Sequence, residues 1–147
     1  MAKKIIKPKK ETPEQYEAKL EAARRRVHAA TIQTIRAYIE RGEVDKRTNK
    51  NDYFTAFSMI KRGIKTSRSL DEQLAYEETL IDFYRKNEAY DVAIDEASEL
   101  AKKLHSLAER KEAEGKPKEL IRQLYKQSKQ YGTLATEIEQ ERNNRIS

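Results

Sequence analysis

The chain of 147 residues has no cysteine and no tryptophan, and only four glycines and three prolines. Without cysteine there is no disulfide framework, no thiolate metal site and no cysteine nucleophile. A secreted, disulfide-stapled scaffold is thereby excluded and a reducing compartment is allowed. So little Gly and Pro argues against a β protein with many tight turns. Long apolar runs are also missing, and no window approaches the roughly 18 consecutive apolar residues that span a bilayer. The lysine-rich start places only Ile5 and Ile6 where a secretory leader needs about seven apolar residues or more, so no targeting segment is expected. The expected location is the cytoplasm, or the inside of a larger assembly such as a virion. Leu, Ile, Val and Phe together make 28 of the 147 residues, near the limit below which a chain fails to close a core.

Helix-forming residues are abundant. Ala, Glu, Lys, Leu and Arg make up 76 residues, about half the chain, and with helical periodicity that composition predicts an all-α fold with long helices. Net charge is +6 but unevenly spread. Residues 1–68 hold 18 basic and 8 acidic side chains, residues 69–99 hold 2 and 10, and residues 100–147 hold 11 and 7. This asymmetry points to a polyanionic partner for the first half, to charge matching within or between chains, or to both.

Local signals divide the chain further. Residues 1–11, with five lysines, read as a flexible basic tail. Thr12, Pro13 and Gln15 form a capping-box pattern, and Gly42 offers a left-handed stop, which predicts a first helix over about 13–41. Glu43 to Lys50 reads as a loop ending at an asparagine cap. A short second helix follows, with Tyr53, Phe57, Ile60 and Ile64 on one face and Gly63 at its end. Ser69 with Glu72 predicts a second capping box. The apolar period then runs from Leu70 to Leu107, as one helix or as two broken near Lys86 to Glu88. Gly115, Lys116 and Pro117 stop one helix and start another, forcing an antiparallel, coiled-coil-like hairpin over about 89–143. The expected organisation is a tail (1–11), a basic two-helix part (12–68) and a long hairpin (69–147) within one domain. Residues 143–147 are expected to fray.

Catalytic and metal motifs do not emerge. His28 and His105 stand alone without HExxH or ExxH spacing, and both read as surface or helix-flank residues. No glycine-rich phosphate loop exists, and Asp45 to Asp52 fails as a calcium loop because Arg47 and Ala56 fall at ligand positions. No enzyme, cofactor, metal or small-molecule substrate is expected. Glu88, Asp91, Asp95 and Glu99 share one helical face, which is solvated, receives an intramolecular or intersubunit basic partner, or binds a divalent cation.

The basic residues carry the sharper expectation. Lys3, Lys4, Lys7, Lys9 and Lys10, the run Arg24, Arg25 and Arg26, and the group Lys61, Arg62, Lys65 and Arg68 are candidates for phosphate contact with DNA or RNA. The blander reading is that the second-helix cations favour the helix dipole and the triple arginine forms surface pairs with Glu21. The helix-loop-helix of the first half matches the DNA-reading helix-turn-helix loosely, since its turn is too long. Candidate protein-interface residues are Asp91, Asp95 and Glu99, with the hairpin seam of Leu100, Leu104, Leu107, Leu120, Leu124, Tyr131, Leu134 and Ile138. Thin apolar stripes predict self-association or a protein partner. The expected function is a non-enzymatic adaptor, binding nucleic acid through the first half and protein through the hairpin. The alternative is a structural protein of a larger assembly without a nucleic-acid role. In outline the layout is similar to some virus-encoded packaging and assembly proteins, on architecture rather than motif.

Overall fold

The computed structural model describes residues 10–42, 45–48 and 50–146. Among them are five helices and no strand: α1 (Pro13–Glu40), α2 (Lys50–Thr66), α3 (Leu70–Lys86), α4 (Tyr90–Ala113) and α5 (Lys118–Ile146). The tail lysines Lys3, Lys4, Lys7 and Lys9 and the proposed cap Asn49 lie outside the described residues.

Local chemistry sets most of the helix boundaries. At the start of α1 the Gln15 amide donates to Thr12 Oγ1 and the Thr12 amide donates to Gln15 Oε1, both at 3.1 Å, which closes the capping box. Gly42 and Gly115 adopt φ of 71° and 70°, the left-handed geometry that ends α1 and α4. The long apolar stretch is two helices. Its break is at Asn87 to Ala89, where Glu88 takes φ 61° and the Asn87 side chain donates to the Phe83 carbonyl. At Ser69 only half of the second capping box forms. Ser69 Oγ accepts from the Glu72 amide, but the Glu72 carboxylate is turned towards Arg24, because an ionic hydrogen bond outcompetes a neutral one.

Two hydrophobic clusters make the core, and α3 belongs to both. Ile35 and Ile39 of α1, Ala56 and Ile60 of α2, and Tyr76, Leu80 and Phe83 of α3 form one cluster. Leu74 and Ile81 of α3 join Leu100 and Leu104 of α4 and Leu124, Tyr131 and Ile138 of α5 in the other. Alternate faces of α3 therefore serve opposite sides, and Tyr84 packs against both clusters. α4 and α5 run alongside each other in opposite directions, as the contacts of Ser128 with the Ala101 carbonyl and of Arg142 with Asp91 require. The helix α5 continues to Ile146, and near its end Arg142 meets Asp91 and Arg145 meets Glu88, each at 2.6 Å.

Gly63 does not end α2. It lies inside the helix, buried against Tyr76, and a Cβ added there would fall 2.1 Å from the Tyr76 ring. The glycine thus permits the close approach of α2 to α3. Tyr76 in turn meets His28 edge-on and shares a 2.6 Å hydrogen bond with its Nδ1, so α1, α2 and α3 are keyed together at one ring. His28 is accordingly a half-buried joint on the flank of α1, the helix-flank form of its sequence reading.

Gly63→Ala is expected to cost about 2 kcal/mol of folding stability, since overpacking a filled site outweighs the helix-propensity gain of up to about 1 kcal/mol. Gly132→Ala, with nothing within 4 Å of the added Cβ, is expected to gain up to about 1 kcal/mol. Urea unfolding of the two variants checks both signs.

Candidate nucleic-acid interface

Part of the acidic middle of the chain finds its cations within the same molecule. Glu72 receives Arg24 at 2.6 Å, Asp82 receives Arg36 at 3.0 Å, and Glu88 lies 3.6 Å from Arg47. From the other end of the chain, Arg142 and Arg145 reach Asp91 and Glu88, and Arg85 of α3 pairs with Glu141 at 2.7 Å. Of the aligned carboxylates, Glu88 and Asp91 are thus met by arginines of α5, an intramolecular basic partner of the kind the spacing allowed. Asp95 stays exposed without an ion pair among the described residues, and Glu99 touches Lys102 at 3.9 Å. Among the described residues no group of three or more His, Asp or Glu side chains is arranged to hold a metal ion.

Arg24 is the most committed of the candidate phosphate-binding residues. Its side chain is 17% exposed and clamped between Glu21 and Glu72. Its hydrogen bonds to Glu21 and then to Glu72 raise its already high pKa further, and the bond it donates holds the Glu72 carboxyl below the usual carboxylate value. A guanidinium so paired is spent on joining α1 to α3 and is withdrawn from any phosphate. Two carboxyls behave oppositely. Glu77, with one oxygen buried and unpartnered, and Asp82, despite Arg36, are both pushed up by burial.

The remaining cations face solvent. Lys10, Arg25, Arg26, Lys61, Arg62, Lys65 and Arg68 are all exposed. Arg25 makes one loose contact with Glu21 at 3.5 Å, and Lys61 lies 5.6 Å from the centre of the Phe57 ring. Arg26, Arg62, Lys65 and Arg68 have no ion pair among the described residues. The tertiary fold brings two of these groups together: Glu21 is pulled down by Arg24 foremost and also by Arg25 and Arg68, which places the α1 arginines beside the α2–α3 turn. Lys61, Arg62 and Lys65 continue along α2.

The hairpin seam is spent inside the chain. Leu100, Leu104, Leu124, Tyr131 and Ile138 are buried in the cluster that α3 completes, and Leu107 and Leu134 pack against it, which leaves Leu120 as the exposed member. Tyr131 donates to Glu78 at 2.7 Å, and burial followed by that bond raises its phenol pKa. Apolar surface stands free elsewhere, on the first half of α1, where Tyr16, Leu20 and Val27 are 56%, 49% and 64% exposed. The sequence already carried this stripe, but its periodicity is the same as that of a buried one.

The three-residue turn between α2 and α3 has the length seen in helix-turn-helix proteins. Here α3 is covered on two sides and is not available to enter a groove. No helix among the described residues is long and apolar enough to cross a membrane. Compared with known proteins, the chain matches no family model, and no similar curated protein or solved structure is found.

The depressed Glu72 carboxyl fixes the sign of a pH effect. Its stabilisation is complete above the ordinary carboxylate pKa and is lost as pH falls through the lower folded-state value. Glu72→Gln is expected to cost about 1.5 kcal/mol at pH 7 and less at pH 3, below the ordinary carboxylate pKa. Glu77, raised by burial, acts in the opposite sense, and it cancels in the difference between variant and parent. Urea midpoints of both proteins at the two pH values provide the measurement.

Proposed function

We propose that this chain is a non-enzymatic helical adaptor that binds nucleic acid through residues 12–68, with residues 69–147 as the brace that holds those helices in place. One observation carries the reading. Glu72, Asp82, Glu88 and Asp91 of the acidic block take arginines of the same chain, while Arg26, Lys61, Arg62, Lys65 and Arg68 face solvent without an ion pair among the described residues.

Uncompensated cations attract a polyanion chiefly by releasing its condensed counterions, and the affinity then falls steeply with salt. Arg25, Arg26, Lys61, Arg62, Lys65 and Arg68 are the residues assigned to phosphates, with Lys10 and the tail lysines Lys3, Lys4, Lys7 and Lys9 extending the set. Arg24 is left out because its charge is satisfied by two carboxylates.

The assembly reading keeps one supporting observation, the exposed Tyr16, Leu20 and Val27 on α1. In this version a second copy covers that stripe, in place of the hairpin seam and the acidic face of Asp91, Asp95 and Glu99. Light scattering over a range of concentrations should then give a mass rising above the 17.2 kDa monomer, lowered again by Leu20→Glu. A constant monomer mass would remove this reading.

For the nucleic-acid reading, log affinity is expected to fall linearly with log salt. The double variant Arg25→Gln/Arg26→Gln should make the slope shallower by up to about 0.9 per lost phosphate contact on duplex DNA. Fluorescence anisotropy at several salt concentrations measures it. Affinity that is independent of salt, or absent even at low salt, would reject the reading.

A further inference from the structure

We propose that the outer face of α2 enters the major groove of duplex DNA, an assignment that rests on the nucleic-acid reading above and names the form of nucleic acid it requires.

The face is defined by spacing. Phe54, Thr55, Ser58, Lys61, Arg62 and Lys65 recur at helical intervals on one side of α2, with Asn51 one turn earlier, and all are exposed. The opposite side carries Ala56, Ile60 and Gly63 and is buried. None of the exposed residues is acidic. A shallow groove of about 370 Å³ runs along the face, lined by Phe54, Thr55, Ser58, Met59 and Arg62.

The hydroxyls on this face are free. Thr31, Thr34, Thr66, Thr79 and Thr136 each donate to the carbonyl four residues back in their helices, which satisfies them locally. Thr55 and Ser58 make no hydrogen bond among the described residues, and neither does the Asn51 side chain. These are the residue types that hydrogen-bond base edges. Phe54, 48% exposed beside them, supplies an apolar surface suited to a thymine methyl. The cations follow at the other end of the helix, where Lys61, Arg62 and Lys65 suit phosphate contacts. Short polar groups towards the helix start and cations behind them are the order in which a recognition helix reads bases and holds the backbone.

Shape selects the form of nucleic acid. The B-DNA major groove is about 12 Å wide and admits a helix, whereas the major groove of an RNA duplex is too deep and narrow. A single strand is held mainly by bases stacked on successive aromatic rings, and this face carries one ring, Phe54.

The test uses the full chain with a DNA duplex of about 20 base pairs, an RNA duplex of the same sequence and the single DNA strand, read by fluorescence anisotropy at low and moderate salt. The expected result is DNA-duplex binding at least about tenfold tighter than to either alternative. Methyl green, which occupies the major groove, should compete, and a minor-groove ligand should not. Ser58→Trp puts a bulky neutral group in the middle of the exposed face. It should weaken duplex binding about tenfold without lowering the melting temperature, whereas added stacking would strengthen single-strand binding. Salt-sensitive binding that is equal for DNA and RNA duplexes, stronger for the single strand, or unaltered by Ser58→Trp overturns the groove assignment and leaves the phosphate reading standing. Absence of binding to all three at low salt overturns both.

Discussion

The structure depends on one helix being buried from two sides. α3 gives Leu74 and Ile81 to the cluster shared with α4 and α5, and Tyr76, Leu80 and Phe83 to the cluster shared with α1 and α2. A chain with few large apolar residues closes its core in this way because a single helix serves two interfaces, which reduces the number of apolar stripes the sequence must supply. The arrangement demands close approach, and Gly63 provides it by leaving room for the Tyr76 ring. His28 then fastens α1 to that ring, so the front three helices share one joint.

Electrostatics follows from the same placement. With α3 central, its carboxylates Glu72 and Asp82 lie within reach of Arg24 and Arg36 on α1, and Glu88 at its end meets Arg47 and Arg145. The acidic block therefore acts as an internal acceptor for both ends of the chain. Half-buried pairs such as Arg24 with Glu72 matter most, because removing one partner leaves the other charge poorly solvated, while exposed pairs such as Glu99 with Lys102 contribute little. The cations beyond the reach of this acceptor give the front of the molecule its positive surface, and that surplus is the physical basis of the functional reading.

Three periodic faces meet different fates. The hairpin seam, the acidic face of α4 and the stripe on α1 all show periodicity, yet the first is buried, the second is half neutralised and the third is largely exposed. Periodicity reports that a face exists and says nothing about what covers it. Gly63 illustrates the same limit: a glycine near a helix end reads as a stop signal, and only the ring of Tyr76, packed against it from the next helix, makes it an interior contact.

By itself the sequence determined the all-α class, the starts of α1 and α3, the left-handed stops at Gly42 and Gly115 and the turn before α5, because caps, stops and prolines act within a few residues of themselves. The segregation of charge was equally legible, since it requires only counting. The tertiary structure alone decided which charges cancel and which face outwards. It paired Arg24 with Glu72 across 48 positions and left Arg62 and Lys65 exposed on α2. Coulomb attraction acts through distance in space, and a linear sequence does not state which distant residues the packing of α3 brings within a few ångströms.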